Sequence, residues 1–126
     1  MLFKEIKSQE IKDGFPKLYR EDTRYYSILK GGEKAGIYGI IDRENSISET
    51  FMTVFEGYKY KVINRDTIFY MMNQPFFLGF KNVWTWTRWQ SWIKLLRKFE
   101  NEGVELQLLP PSWDDDFTKI WFRKRK

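Results

Sequence analysis

Tyr25-Tyr26-Ser27-Ile28-Leu29-Lys30-Gly31-Gly32-Glu33-Lys34-Ala35-Gly36-Ile37-Tyr38-Gly39 is the stretch that organises this chain. It holds one strand-like run, 25–29, and opens a second, 34–42. The paired glycines Gly31 and Gly32 between them supply the positive φ that a hairpin turn requires. Arg43-Glu44-Asn45-Ser46 makes a second polar turn, and Ile47 to Phe55 follows as another strand. Ile47, Phe51 and Phe55 share one face of that strand with Glu49 and Thr53, while Met52 and Val54 lie on the other. Apolar groups on both sides place it in the interior of a sheet.

Toward the N-terminus, Leu2 to Lys7 alternates as a short strand, and Ser8 offers an N-cap for a helix running toward Tyr19, made irregular by Gly14 and Pro16. Toward the C-terminus the period changes. Asn64 or Asp66 can cap a helix with Ile68, Phe69 and Met72 on one face. Pro75 is expected to end or kink it, because an interior proline costs about 3 kcal/mol in a lost hydrogen bond and a clash with the preceding turn. Lys81 to Thr87 alternates again as a strand. Trp89, Trp92, Ile93, Leu96 and Phe99 then recur at helical spacing, with Lys94, Arg97 and Lys98 on the remaining faces and Gly103 placed to stop the helix. Val104 to Leu109 and Phe117 to Arg123 read as closing strands around Pro110-Pro111 and Asp114-Asp115-Asp116. The order is strand, helix, three strands, helix, strand, helix, two strands.

The 126 residues suffice for one domain, expected over 1–122, with 123–126 as a basic tail. Lysine and arginine number 22 against 17 acids, and four of the five net positive charges sit in that tail, so the body is close to neutral. The chain has no cysteine and no histidine. Thiolate and imidazole catalysis are thereby excluded within it, as are zinc sites built from those residues, and no metal site is expected. Catalysis would have to use carboxylates, Tyr, Lys, Ser/Thr or backbone groups. No apolar run approaches the roughly 18 to 20 residues that span a bilayer, and the N-terminus lacks the apolar core of a secretory signal. The expectation is a soluble cytoplasmic protein without membrane partners.

The element order resembles the GNAT N-acetyltransferase fold over nearly the whole chain. Phe77-Leu78-Gly79-Phe80-Lys81-Asn82-Val83 is similar to that family's helix-to-strand passage, Ile93-Lys94-Leu95-Leu96-Arg97-Lys98-Phe99 to its last helix, and Gly31 to Gly39 to its second hairpin. The resemblance implies an α+β fold with a mixed, mostly antiparallel sheet flanked by helices. It also implies an acyl-CoA site, with acetyl-CoA as cofactor, in a splay between 47–55 and 81–87. The pyrophosphate would rest on backbone N–H groups at the following helix.

Within the splay the resemblance assigns cofactor contacts to Val54, Gly57, Lys59, Lys61 and Val62. Lys59 and Lys61 stand where the family's phosphate loop carries small residues. A lysine brings a Cβ and a long stem into space that glycine leaves open, so weak or absent acetyl-CoA binding is expected. Lysine can also pair with phosphate as a point charge. Amine acetylation needs a base to deprotonate an ammonium whose reference pKa is about 10.4. Glu49, the only acid in the proposed fourth strand, is the candidate, alongside its reading as a solvated or hydrogen-bonded strand residue. The last helix lacks the family's tyrosine, which leaves Tyr58 and Tyr60 as candidate acids for the departing thiolate.

Three functions stay open. The first is a diverged GNAT-like protein with weak or no transferase activity, similar to small bacteriophage-encoded or virion-associated GNAT-like proteins, acting through a protein partner or as a homo-oligomer in the host cytoplasm or the virion. The second is an active acetyl-CoA-dependent N-acetyltransferase on an amine. The third is a single-stranded nucleic-acid binder using Trp84, Trp86, Trp89 and Trp92 as a stacking platform together with the basic tail, against core or interface packing of those rings.

Overall fold

Gly31 and Gly32 adopt φ of +60° and +84°, and the two-residue turn they form sets Lys30 opposite Glu33. From this hairpin the rest of the sheet is built outward. The computed structural model describes residues 2–58, 64–98, 100, 103–111, 113 and 115–124. The strands are β1 (Leu2–Ile6), β2 (Thr23–Lys30), β3 (Glu33–Asp42), β4 (Ile47–Val54), β5 (Asn82–Thr87), β6 (Val104–Leu109) and β7 (Thr118–Lys124). The helices are α1 (Ser8–Gly14), α2 (Arg65–Phe77) and α3 (Gln90–Lys98), with a 3-10 turn at Pro16–Leu18. The strands form one sheet in the order β1-β2-β3-β4-β5-β7-β6. Every pairing is antiparallel except the parallel one between β4 and β5, so β4 is interior as its two-sided pattern predicts.

The α+β expectation and its element order hold, with local corrections. Lys7, not Ser8, occupies the cap of α1, without a side-chain hydrogen bond. Asn64 does cap α2, its Oδ1 accepting from Thr67 N at 3.0 Å and Thr67 Oγ1 at 3.2 Å. The helix does not end at Pro75; it runs on to Phe77. Pro75 has no N–H to give the Met71 carbonyl, and the Tyr38 hydroxyl from β3 supplies the missing donor at 2.9 Å. Its buried stripe is Ile68, Met71, Met72 and Pro75, at i, i+3, i+4 and i+7. Phe69, expected beside Ile68, is turned about 100° away and is 52% exposed. In α3, Trp92, Ile93 and Leu96 are buried as expected, while Phe99 lies outside the described residues. β7 runs through Lys124, one residue past the expected strand end at Arg123, whose Nε meets Glu105 Oε2 at 2.7 Å.

The two sheet faces are covered unequally. α2 and α3 lie over one face and enclose Tyr26, Ile28, Tyr38, Val83, Ile120 and Phe122. On the other face seven-residue α1 packs Ile11 against Tyr25 and Ile37, over the β2–β3 side only. Across β4, β5 and β7 that second face is left to side chains, among them Glu49, Trp84, Trp86 and Trp121.

Candidate functional site at the opening between β4 and β5

The parallel ladder holds for three pairs only, Ile47 with Asn82, Ser48 with Val83 and Glu49 with Trp84, after which the strands part. At the parting point two threonines replace the ladder. Thr85 Oγ1 donates to the Thr50 carbonyl at 3.1 Å, and Thr50 Oγ1 donates to the Trp84 carbonyl at 3.3 Å. Beyond them β4 is paired, among the described residues, on one side alone. Phe55 N–H donates to the Ala35 carbonyl at 2.8 Å, which fixes the alternation along β4. The main-chain groups of Thr53 and Phe51 thus face β3, and those of Met52 and Val54 face the opening. A strand edge with unspent donors and acceptors can hold an extended amide-containing chain.

Glu49 stands at the last pair before the strands part. Its Oε2 accepts from Arg43 Nε at 2.7 Å and also from Arg43 Nη2. Arg43 is delivered by the β3–β4 turn, where Glu44, Asn45 and Ser46 have φ of +69°, +54° and +63°. Three consecutive non-glycine residues in the left-handed region are strained, and bonds on both sides hold them there. Arg43 N–H donates to Ile47 O at 2.9 Å, and Ser46 O accepts from Lys81 N at 2.8 Å and Asn82 N at 3.2 Å. The turn thereby ties the guanidinium to the first residues of both splayed strands.

Next to this ion pair lies a cavity of about 520 Å³, walled by Trp84, Trp86, Phe117, Ile47 and the Arg43–Glu49 pair. The volume falls in the range of small-molecule sites, about 300 to 1,000 Å³. Trp84 stacks on Trp121 at 4.8 Å, and the Trp121 indole donates to Asn82 Oδ1 at 3.1 Å, so the floor is rigid. The Arg88 guanidinium covers the Phe117 ring at 4.3 Å and pairs with Asp116 at 3.1 Å. Lys119 pairs with Asp115 at 3.3 Å. The wall is aromatic, and these acidic groups at its rim each have a cation.

The sequence-predicted site residues separate into groups. Glu49 is the last residue of β4 paired with β5, and Val54 closes β4 five residues further along the strand. Gly57 has φ +89° with open space around it, which suits a close approach of main chain to a ligand. Lys59, Tyr60, Lys61 and Val62 lie outside the described residues. Tyr58 is not with Glu49: its hydroxyl donates to the Glu33 carboxylate at the other end of β4, a strand length of roughly 20 Å away. That hydrogen bond, with burial adding to it, pushes the Tyr58 phenol above its ordinary value, making it a weaker acid. The four tryptophans do not form one platform. Trp84 and Trp86 face the cavity, whereas Trp92 is buried under α3 with Trp89 edge-on to it at 6.3 Å. Sequence reading missed Arg43, Phe117 and Lys119. Arg43 opening the polar turn with Glu49 three residues past it was the signal available for the first; Lys119 is set opposite Trp86 by the β5–β7 register, and Phe117 directly precedes β7.

The residues present fit part of an acyl-CoA. The Met52 and Val54 edge suits the pantetheine amides, while Asp66 in the first turn of α2 opposes a negative charge at that helix N-terminus.

No protein-family model matches this chain, and a search of curated proteins returned no match. Solved structures do. An IAA acetyltransferase from Bacillus cereus superposes with a TM-score of 0.64 at 13% identity, over 95% of this chain and 97% of that one. A Bacillus subtilis acetyltransferase in complex with CoA gives 0.60 at 17% identity, over 97% and 87%. A dodecameric spermidine N-acetyltransferase from Vibrio cholerae gives 0.63 at 10% identity, over 95% and 91%. The chain has a GNAT-like fold, and these superpositions cover 95% or more of its length. Among the described residues no helix is long and apolar enough to cross a membrane.

Proposed function

We propose that this chain is an acyl-CoA-dependent N-acyltransferase whose acceptor is a primary amine held in the aromatic cavity. The carrying observation is that β4 and β5 part immediately after Glu49 and Trp84, so a free strand edge, a carboxylate and an aromatic cavity meet at one point. A bound acyl-CoA would supply the activated thioester carbonyl. Met52 and Val54 would hold its amide-bearing arm along the strand edge. The cavity would hold the amine, and Glu49 would take one ammonium proton. The second proton would leave with the CoA sulfur as the C–N bond forms and the C–S bond breaks. No described tyrosine reaches this point, so that proton would travel through solvent.

Calorimetric titration with acetyl-CoA, run beside a thiol-release assay with a panel of primary amines, tests the reading. Measurable heat and amine-dependent thiol release support it, and Lys59→Glu should weaken the binding by removing a phosphate partner. Neither heat nor thiol release would overturn it in favour of an interaction module on the same fold.

That second reading has its own observation. Phe77 is 85% exposed and Phe69 52% exposed on α2, beside a groove of about 420 Å³ that also takes in Phe3 and Tyr70 near edge strand β1. An exposed aromatic face of this kind fits a protein partner or a second copy, and one protein of this fold is described as dodecameric. The phage or virion role expected from the resemblance belongs to this reading. Light scattering of the wild type against Phe77→Asp checks it: a mass above monomer that falls in the variant supports assembly through α2.

A further inference from the structure

Arg43, Glu49 and Trp86 line two cavities at once, the aromatic one of about 520 Å³ and a neighbour of about 270 Å³ reaching Leu18, Arg20 and Phe51. The ion pair therefore stands as a divider within one groove. Both Arg43 donors fall on the same Glu49 oxygen, and the Glu49 side chain is 25% exposed against 54% for Arg43. Two donors on one oxygen leave the planar fork without the oxygen-for-oxygen match that a carboxylate can give it. An incoming carboxylate can supply that match and free Glu49 from the guanidinium.

We infer that the acceptor brings that anion itself: an aromatic α-amino acid, whose carboxylate displaces Glu49 from the Arg43 fork, whose ring lies against Trp84 and Trp86, and whose amine is left beside the released Glu49. The exchange seats the incoming carboxylate on the guanidinium and leaves Glu49 facing the incoming ammonium, so each charge in the groove keeps a partner. The rim argues in the same direction. Asp115 is held by Lys119 and Asp116 by Arg88, so these rim acids are not an array waiting for a polycation. Ring against ring supplies the apolar part of the recognition.

The inference deepens the acyltransferase reading and rests on it for the reaction, but the recognition step is testable without acyl-CoA. Calorimetry of the full chain with L-phenylalanine and with phenethylamine, which differ by the carboxylate alone, should show L-phenylalanine binding at least about tenfold tighter. Arg43→Gln should abolish that preference, and Arg43→Lys should keep only part of it, because an ammonium lacks the planar fork. Equal affinities, no binding of L-phenylalanine, or a preference that survives Arg43→Gln would overturn the inference. Thiol release from acetyl-CoA separates the two ideas. Release with phenethylamine or spermidine but not with L-phenylalanine sinks the amino-acid acceptor and leaves the transferase standing; a carboxylate preference in binding with no release for any amine does the reverse.

Discussion

The Tyr38 hydroxyl donates to the Met71 carbonyl at 2.9 Å, between a central strand and α2, where Pro75 leaves that carbonyl without its helical partner. Tyr38 is fully buried and Met71 nearly so. The proline thus does not break the helix, because the sheet supplies the donor that the helix lacks.

Tyr38→Phe is expected to destabilise the fold by about 1 to 3 kcal/mol, the cost of a buried carbonyl left unpaired. Pro75→Ala restores an N–H four residues after Met71, so the double variant should recover much of the loss. A double-mutant cycle by urea denaturation reads the coupling directly, and simple additivity of the two changes would show that the hydroxyl does not answer the proline.

Thr85→Val keeps the shape of a buried side chain and removes the hydroxyl that binds the Thr50 carbonyl where the strands part. A loss of about 1 to 2 kcal/mol is expected in chemical denaturation. Because the bond sets where the opening begins, acetyl-CoA affinity should fall as well, whereas Thr118→Val, on the same buried face of the sheet but away from the opening, should leave it unchanged.

Glu49→Gln keeps the size of the side chain and removes the proton acceptor. On the acyl-transfer reading kcat should fall by about 10² to 10⁴, the usual worth of a general base, with acetyl-CoA affinity little changed. A variant as fast as the wild type would place the base elsewhere.

Alkaline pH should weaken the fold through its tyrosines. Burial, with Tyr26 and Glu5 nearby, pushes the Tyr70 phenol up to about 12 from an ordinary 10.0. Burial drives Tyr38 in the same direction. The folded state therefore favours the protonated phenols more than the unfolded state does. The Tyr70 contribution to stability is complete below pH 10 and is lost as pH rises toward 12. Thermal melts across that window, with phenolate absorbance recorded alongside, should show Tm dropping, and Tyr70→Phe should flatten the drop.

Much of the fold was legible because its signals are local. Gly31 and Gly32 could be read as a turn without knowing what the flanking strands touch, since positive φ is a property of the residue itself. The stripe of Trp92, Ile93 and Leu96 marked α3 in the same way, through spacing alone. Pro75 is the converse case: the helix does not end there but runs on to Phe77. Its local penalty is real, but the compensating donor sits 33 residues or more away in sequence on β3, where no short-range pattern shows it.

What the sequence determined by itself is the order of the elements, the placement of Glu49 on an interior strand, and the exclusion of thiol and imidazole chemistry by composition. Only the tertiary structure decided that β4 and β5 run parallel for three pairs and then part, that the Arg43 fork grips Glu49, and that Trp84 joins Trp86 and Phe117 around one cavity while Trp92 is buried on the other face. The physical reason is range. Dihedral preference and periodicity are written within a few residues, whereas strand register and the side chains it brings together follow from how separated segments bury their apolar faces against one another.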